Sequence, residues 1–565
     1  MQHKSKGGNL CAFSISLSIL SLFSIINGVN PPTVSTTHGK VRGQMRQGVY
    51  GDIYYSFDGI PYARPPLGDL RFKSPQPAEP WLGVRDCTKC PPKCMQCNRY
   101  TGVAEGSEDC LYLNVYAKRL HSDRPLPVIV YLIGGRFTTG HASRTAWGPD
   151  YIMMKDVLLI TIGFRLGALG FLSFPEPELQ VPGNAGLKDI FLALQWIKQN
   201  CNNFNGDPNN ITLFGHSSGS AAAHLLMHLP QCENLFHKVI LMSGTQMYIR
   251  KVPHLEYRFA KHLGYNGPDD NHKILAYLNS LAPERLCDLE IWTAEEMEQG
   301  HFFVFSLTIE SEHTPDAIIT KDPLDMYAVD KEAWFNGLPL VLGSNSFESL
   351  MHYKYFTKQP KLYETLKVHP EYLVSHEVRA KCELSAQQQL ARKLIRLHLA
   401  EKELNIEQVF DVMRLSSYDF IYHPVHRFLQ TRLAQANAPT YFYRFDYDSP
   451  DFNLYRIRHC GREVRGVSHV DELSYIFFIP DSFKLKRESK EFQMIECMVD
   501  WITSFAVNSN PNGVKIKPLV WEPLATEGAR YCLNISDELS FIEWPEAVTC
   551  AIWDKYYKEA GIRLF

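Results

Sequence analysis

Short apolar runs alternate with segments of helical periodicity along the first half of the chain. Residues 126–135 and 157–166 are predominantly apolar and rich in β-branched side chains, and residues 211–215 and 237–244 repeat the pattern. Between them, residues 186–201 place apolar side chains three and four positions apart. Strands that are apolar throughout are typical of parallel sheets covered on both faces, with helices as the crossover connections. The pattern predicts the α/β fold class, with a large, mostly parallel sheet and helices on both faces.

The N-terminus carries a separate pattern. Lys4 and Lys6 precede an apolar run over residues 10–26, and Gly28 follows it. A basic start, an apolar stretch and a small residue near its end are typical of a secretory signal peptide. The run is near the lower length for crossing a bilayer and contains five serines, so cleavage is favoured over an uncleaved anchor. We predict a signal peptide over residues 1–28 and a secreted product that has no membrane span after cleavage.

The overall composition is that of a large globular chain. Of its 565 residues, 45% are hydrophobic, and the formal net charge is −3. Nucleic-acid binding demands a concentrated basic face, which this charge balance does not indicate. No linker rich in Pro, Ser or Gly, no long charge run and no repeat divides the sequence. We therefore predict one domain with insertions over residues 29–565, whose oligomeric state these features do not determine.

Fourteen cysteines fit an oxidising compartment without requiring one. Cys87 and Cys90 form one C-x-x-C unit, and Cys94 and Cys97 form another, so a zinc site has to be considered. Only three residues separate the two units, far fewer than in the usual zinc modules. Four thiolates would have little room to surround one ion tetrahedrally. Disulfides are therefore the favoured interpretation, and we predict no metal site.

A candidate nucleophile lies in the sequence GHSSG at residues 215–219. The motif follows an apolar strand pattern and precedes an Ala- and Leu-rich helical pattern, which is the context in which G-x-S-x-G becomes specific. Its glycines allow a sharp, strained turn that lifts Ser217 out of the sheet. The helix that follows directs its N-terminal N–H groups at the site, where they favour a developing negative oxygen. The backbone N–H of Ser218 would be one such donor.

Five segments of the chain match the signatures of one protein family: residues 57–72 (FDGIPYARPPLGDLRF), 107–116 (SEDCLYLNVY), 165–171 (RLGALGF), 183–189 (GNAGLKD) and 204–219 (FNGDPNNITLFGHSSG). On these segments the chain resembles the type B carboxylesterase and cholinesterase-like family of α/β-hydrolases. Within the family it is most similar to the insect α-esterase type. The resemblance covers nearly the whole chain after the N-terminal segment and implies the α/β-hydrolase fold.

The resemblance also implies the two partners of the serine. A serine hydroxyl needs a base to take its proton, and the base needs a third group to orient it. His469 lies in GVSHVDELSYIF, which resembles the segment of the family's catalytic histidine, and Glu348 lies in GSNSFESL, which matches the segment of its acid. The residues on either side of Glu348 depart from the family pattern. Asp471 and Glu472 are rival acids, for which a structural role is favoured.

The family's other oxyanion donors come from a glycine-rich loop that begins here at Ile133. Its second glycine is kept as Gly135, whereas its third is replaced by Arg136. A backbone N–H is all that the chemistry needs, but a left-handed conformation costs an L-residue about 1–2 kcal/mol. Two outcomes are open. Either Arg136 projects to solvent and leaves its N–H in place, or its side chain crowds or charges the cleft.

Further expectations concern the loop that follows residue 94. The family pattern implies a disulfide between Cys94 and Cys110, and it offers no partner for Cys87, Cys90 or Cys97. In cholinesterases the same loop carries a tryptophan that stacks on a quaternary ammonium. No tryptophan lies between Cys94 and Cys110 here, which disfavours choline esters. Separately, the sequon at Asn534 predicts an N-linked glycan in a secreted protein.

Taken together, the resemblance and the motifs imply a serine carboxylesterase. It would act on a small-molecule ester through an acyl-serine intermediate, without a cofactor. The alternative is a catalytically weakened relative that sequesters esters or organophosphates, or that serves in binding or adhesion. The family includes adhesion proteins that have lost the triad, and Arg136 weakly favours this alternative.

Overall fold

The computed structural model of the protein describes residues 31–299, 304–327, 332–525 and 530–564. The predicted signal peptide, residues 1–28, lies outside these ranges. Within them the strands are β1 (Thr33–Ser35), β2 (Lys40–Arg42), β3 (Gln44–Gln47), β4 (Ile53–Pro61), β5 (Val84–Asp86), β6 (Gln96–Cys97), β7 (Ala104–Glu105), β8 (Tyr112–Ala117), β9 (Leu126–Leu132), β10 (Leu158–Ile162), β11 (Gly206–His216), β12 (Lys238–Met242), β13 (Leu340–Asn345), β14 (Thr440–Phe445), β15 (Tyr531–Ile535) and β16 (Ser540–Glu543).

The α-helices lie mainly between and after these strands. In chain order they are α1 (Gly167–Phe171), α2 (Ala185–Asn200), α3 (Ser218–Leu226), α4 (Leu255–His262), α5 (Asn271–Ser280), α6 (Ala294–Glu298), α7 (Pro323–Tyr327), α8 (Tyr353–Lys358), α9 (Pro360–Val368), α10 (His376–Lys381), α11 (Leu384–Leu399), α12 (Val409–Ser417), α13 (His423–Gln435), α14 (Leu454–Cys460), α15 (Lys490–Asn508) and α16 (Ala547–Glu559). Among the helices of the described ranges, none is both long and apolar enough to cross a membrane.

One large sheet organises the molecule. Its strand order is β16-β15-β14-β13-β12-β11-β9-β10-β8-β4-β3. The seven strands from β15 to β10 pair in parallel, and the strands at both edges pair antiparallel. The α/β class and the mostly parallel sheet are thus confirmed. Two small sheets, β1-β2-β5 and β6-β7, lie outside it.

Burial explains why the central strands have uninterrupted apolar sequences. Every residue of β10, β12 and β13 is buried. Because successive side chains of a strand point to opposite faces, both faces of the sheet must be covered. Helices α3 and α15 both pack on β9 and β11 and supply part of that cover. This double burial accounts for the continuous runs that predicted a parallel sheet.

The candidate site lies where the parallel strands end. Residues 133–137 follow β9, Ser217 follows β11, and Glu348 comes three residues after β13. His469 belongs to the long excursion between β14 and β15. Because parallel strands present their carboxyl ends at one edge, loops that are distant in sequence meet there, and this is the usual position of ligand sites in open α/β sheets.

Candidate active site

A strained turn presents Ser217. The residue has φ 55° and ψ −123°, between the end of β11 and the first residue of α3. The turn is possible because its glycines allow backbone segments to touch: a Cβ on Gly215 would lie 2.4 Å from the carbonyl oxygen of Gly219. Strain of this kind costs on the order of 1–3 kcal/mol and persists only where surrounding structure imposes it. Here β11, β12 and α3 impose it, and Ser217 N donates to Met242 O at 2.9 Å.

The structure brings Ser217, His469 and Glu348 together in one chain of hydrogen bonds. Ser217 Oγ lies 2.9 Å from His469 Nε2, and His469 Nδ1 lies 2.6 Å from Glu348 Oε2. His469 and Glu348 are both buried. The second carboxylate oxygen, Oε1, accepts the N–H of Asn345 at 2.8 Å, which fixes the plane of the carboxylate. With Oε2 accepting from Nδ1–H, the histidine tautomer has Nε2 available to take the proton of Ser217.

A second buried pair, His216 and Glu472, lies beside the turn that carries Ser217. His216 Nε2 lies 3.2 Å from Glu472 Oε1, and the same carboxylate accepts hydrogen bonds from Ser243 and Asn345. The Asp471 carboxylate instead accepts the N–H groups of Arg456 and Ser468. Neither of these two rival acids contacts the Nδ1 of His469. No sequence pattern indicated the partnership of His216 with Glu472, although His216 directly precedes Ser217 and Glu472 lies three residues after His469.

The loop predicted to supply oxyanion donors, residues 133–137 (the oxyanion loop), packs closely against Ser217. A Cβ on Gly134 would lie 2.9 Å from Ser217 Cβ, and one on Gly135 would lie 1.8 Å from Thr139 O. The loop holds its shape through Thr138 N and Thr139 N, which donate to Gly135 O at 3.1 Å and 3.0 Å. The amides of residues 135, 136 and 218 belong to the segments that flank Ser217. The loop therefore requires glycine at 134 and 135 for steric reasons.

Arg136 adopts the left-handed backbone expected for a glycine position, with φ 60°. Its side chain lines the cleft beside Ser217, and Nη2 donates to His352 Nε2 at 2.7 Å. Burial and the positive charge of Arg136 lower the pKa of His352 well below its usual value, so that ring is neutral and can accept. Burial and nearby Arg99 lower the pKa of Arg136 to about 10, which leaves it cationic at neutral pH. Of the two outcomes left open above, the structure has the charged side chain in the cleft.

Two cavities meet at Ser217. The larger, about 960 Å³, is lined by Ser217, by the apolar side chains of Phe137 and Phe171, and by polar side chains that include Asp419 and Arg427. The smaller, about 220 Å³, lies on the side of His469 and is bordered by the loop after Cys94. Phe420 lines the larger cavity, and its ring centroid lies 6.2 Å from that of His469. His352, Asp419 and Phe420 belong to insertions without a motif, so no sequence pattern indicated them.

The loop after Cys94 is held at both ends. The structure contains a disulfide between Cys94 and Cys110, the pair that the resemblance implies. Arg71 forms a bidentate ion pair with Glu108, at 2.6 Å and 2.7 Å. In the described part of the chain, Cys87, Cys90 and Cys97 form no disulfide.

The predicted N-linked glycan site, Asn534, lies in a little-exposed part of the large sheet. Asn534 lies within β15 and is 9% exposed. Its Oδ1 accepts a hydrogen bond from Arg444 Nη1 at 3.2 Å. Glycosylation of Asn534 stays a prediction, at a strand position that the fold leaves little exposed.

Comparison with known proteins identifies the group to which this architecture belongs. The sequence profile described as the carboxylesterase family matches residues 30–553. The chain belongs to the carboxylesterase family. It is 34% identical to esterase B1 of Culex pipiens over 542 residues, which cover 93% of this chain and 98% of that protein. It is 31% identical to juvenile hormone esterase of Tribolium castaneum, over 85% of this chain and 84% of that protein.

A solved structure extends the likeness to three dimensions. Juvenile hormone esterase from Manduca sexta, with OTFP covalently attached, superposes with a TM-score of 0.82 and 28% sequence identity, covering 94% of this chain and all of that one. The α/β-hydrolase fold and the resemblance to type B carboxylesterases are confirmed. The expected class of activity, hydrolysis of carboxylic esters by a serine carboxylesterase, is confirmed with them, and the binding or adhesion alternative is not favoured.

Proposed function

We propose that Ser217, His469 and Glu348 are the catalytic triad of this carboxylesterase. The hydrogen-bond chain from Ser217 Oγ through the imidazole to Glu348, with distances of 2.9 Å and 2.6 Å, carries the proposal. In the acylation step Ser217 Oγ attacks the ester carbonyl carbon while His469 Nε2 takes its proton. Glu348 holds the imidazole in place and stabilises the imidazolium that forms.

The remaining steps use the same groups. The tetrahedral oxyanion is held by the backbone N–H groups of Gly135, Arg136 and Ser218. His469 then returns its proton to the alkoxide, the alcohol departs, and the acyl group stays on Ser217. Water loses a proton to His469, attacks the acyl carbon, and the acid is released as Ser217 regains its hydrogen. No redox change occurs, and none of the steps calls for a cofactor.

The shape of the site favours esters with a bulky apolar part. A cavity of about 960 Å³ is at the upper end of the range for small-molecule sites and is lined near the serine by Phe137 and Phe171. Choline esters remain disfavoured because an ammonium group is recognised by an aromatic face, and the loop between Cys94 and Cys110 supplies no tryptophan.

Secretion is also part of the proposal. The N-terminal pattern of residues 1–28 indicates a cleaved signal peptide. The disulfide between Cys94 and Cys110 fits an oxidising compartment. Residues 29–565 would then form the mature, single-domain enzyme. N-terminal sequencing of protein recovered from culture medium would test this; a product that retains residues 1–28 and stays with membranes would contradict it.

The catalytic proposal is tested with Ser217→Ala, assayed on p-nitrophenyl butyrate and by intact mass after exposure to a fluorophosphonate. We expect hydrolysis and the mass increase in the native protein, and neither in the variant. Ser280→Ala is the matched control, since Ser280 is exposed and outside both cavities and its Oγ donates to Tyr277 O at 2.6 Å. Equal hydrolysis by the Ser217→Ala variant, with melting temperatures alike, would refute the assignment.

A further inference from the structure

The two cavities that meet at Ser217 differ in which half of an ester they can receive. His469 lines the smaller cavity and is the group that protonates the departing alcohol in the proposed mechanism. The alcohol oxygen must therefore lie on the His469 side, with its substituent directed into the smaller cavity. The acyl part then extends into the larger one. This inference rests on the proposed function and adds the chemical class of the alcohol.

Positive charge gathers around the smaller cavity. Arg99, Arg136 and Arg458 all line it, from three different segments of the chain. Arg99 Nη2 donates to Thr139 Oγ1 at 3.0 Å, which holds the guanidinium over the oxyanion loop. Within the described ranges, no carboxylate oxygen lies within 4.0 Å of a guanidinium nitrogen of Arg99, so Arg99 forms no ion pair there. Arg458 stacks on Tyr100 at 5.8 Å and is ion-paired on its outer side with Asp481.

Carboxylates contribute little to the lining of the smaller cavity. The one carboxylate that lines the smaller cavity among the described residues, Glu105, is already paired with Lys93 at 2.7 Å. Burial and Lys93 lower the pKa of His141 to about 4, so its ring is neutral at physiological pH. Burial, and then the surrounding charges beginning with Arg99, likewise lower the pKa of nearby His459 to about 4.

We propose that the smaller cavity selects esters whose alcohol half carries an anionic group, such as a carboxylate, with Arg99 as its main recognition residue. Arg99 stands at the exposed rim, while Arg136 lies beside the serine, so an anion entering the cavity meets positive charge along its whole depth. A guanidinium binds a carboxylate through two parallel hydrogen bonds. A cationic alcohol is repelled by the same charges. Of the three arginines, Arg99 belongs to the loop between Cys94 and Cys110, which carries no tryptophan.

The test uses butyryl esters that share an acyl group and a ring. The anionic substrate is 4-butyryloxybenzoate, and the neutral one is 4-butyryloxybenzamide. The quantity measured is the ratio of their kcat/KM values in the native enzyme, in Arg99→Gln and in Arg99→Glu. Comparing this ratio between proteins cancels the different intrinsic reactivity of the two esters. Arg392→Gln is the control, because Arg392 is an exposed arginine of α11 outside both cavities.

We expect the anionic-to-neutral ratio to fall about fivefold in Arg99→Gln, the size of a solvent-exposed ion pair, and further in Arg99→Glu. It should also fall when NaCl is raised from about 0.02 M to about 0.5 M, since salt screens exposed charges. Arg392→Gln should leave the ratio unchanged. If the native enzyme hydrolyses the neutral ester but neither Arg99 variant changes the ratio, the proposal is overturned.

A binding measurement separates this proposal from the catalytic one. Calorimetric titration of Ser217→Ala with 4-hydroxybenzoate and with 4-hydroxybenzamide requires no turnover. If the anion binds more tightly than the amide and Arg99→Glu abolishes this difference, the charge preference of the smaller cavity is supported. This conclusion would hold even if no ester were hydrolysed, in which case only the catalytic proposal would fail. If the native enzyme hydrolyses esters but its Ser217→Ala variant binds both compounds equally, the charge preference is refuted.

Discussion

Replacement of Gly135 by alanine is the sharpest test of the oxyanion loop. A Cβ at this position would lie 1.8 Å from Thr139 O, whereas real Cβ atoms stay at least 3.0 Å from such neighbours. The backbone must therefore move by about 1.2 Å, and φ 137° is itself unfavourable for alanine. Neither Gly135 nor Thr139 can shift at low energetic cost, because Thr138 and Thr139 both donate their N–H groups to Gly135 O.

The consequence for the rate follows from this displacement. Removing one oxyanion donor lowers kcat by roughly 100- to 1,000-fold, and a displacement of about 1 Å can cost roughly 100-fold by itself. We expect Gly135→Ala to lower kcat for p-nitrophenyl butyrate by about 100-fold or more, with a much smaller change in KM, because the donor acts mainly in the transition state. Stopped-time assays at saturating substrate would measure it.

Gly102→Ala provides the matched control for this substitution. Gly102 also has a positive φ, 68°, but a Cβ there meets no atom within 4 Å. It should therefore carry backbone strain without displacing the oxyanion loop, and kcat should stay near that of the native enzyme. A folded Gly135→Ala protein, with a native circular dichroism spectrum, that retained kcat within threefold would refute the assignment of this loop as the oxyanion hole.

Three further predictions concern buried carboxyl groups. Glu348→Gln should lower kcat by roughly 10,000-fold with native melting behaviour, since an amide no longer fixes the tautomer of His469. A loss smaller than that of Glu348→Ala is compatible with this role, but a loss below about tenfold is not. Glu472→Ala leaves His216 without its buried partner and should lower the free energy of unfolding in urea by about 3 kcal/mol; an unchanged midpoint would contradict this. Burial raises the pKa of Asp419 to about 7. The folded protein therefore holds this proton more tightly than the unfolded chain, and the carboxylate destabilises the fold increasingly as pH rises from about 4 through about 7. Asp419→Asn should accordingly raise the melting temperature relative to the native protein more at pH 8 than at pH 5; an equal gap at both would count against it.

Local pattern was enough for those features that depend on neighbouring residues. Uninterrupted apolar runs predicted buried parallel strands, because burial on both faces leaves no polar position in the strand. The turn at Ser217 was also readable, since the close approach of Gly215 to Gly219 can be made only by glycine. Glu348 and His469 are different. Among 21 histidines and 61 acidic residues, only the family resemblance singled them out.

The sequence by itself thus determined the fold class, and it predicted the nucleophile and, through the resemblance, the other members of the proposed triad. Tertiary structure alone decided how the side chains meet. It directed Arg136 into the cleft, where His352 accepts its hydrogen bond, and it joined His216 to Glu472. It also buried Asn534 inside a strand pair, which no local motif records. Each of these outcomes depends on contacts between segments far apart in sequence, and such contacts are fixed by the path of the chain around the sheet rather than by any local pattern.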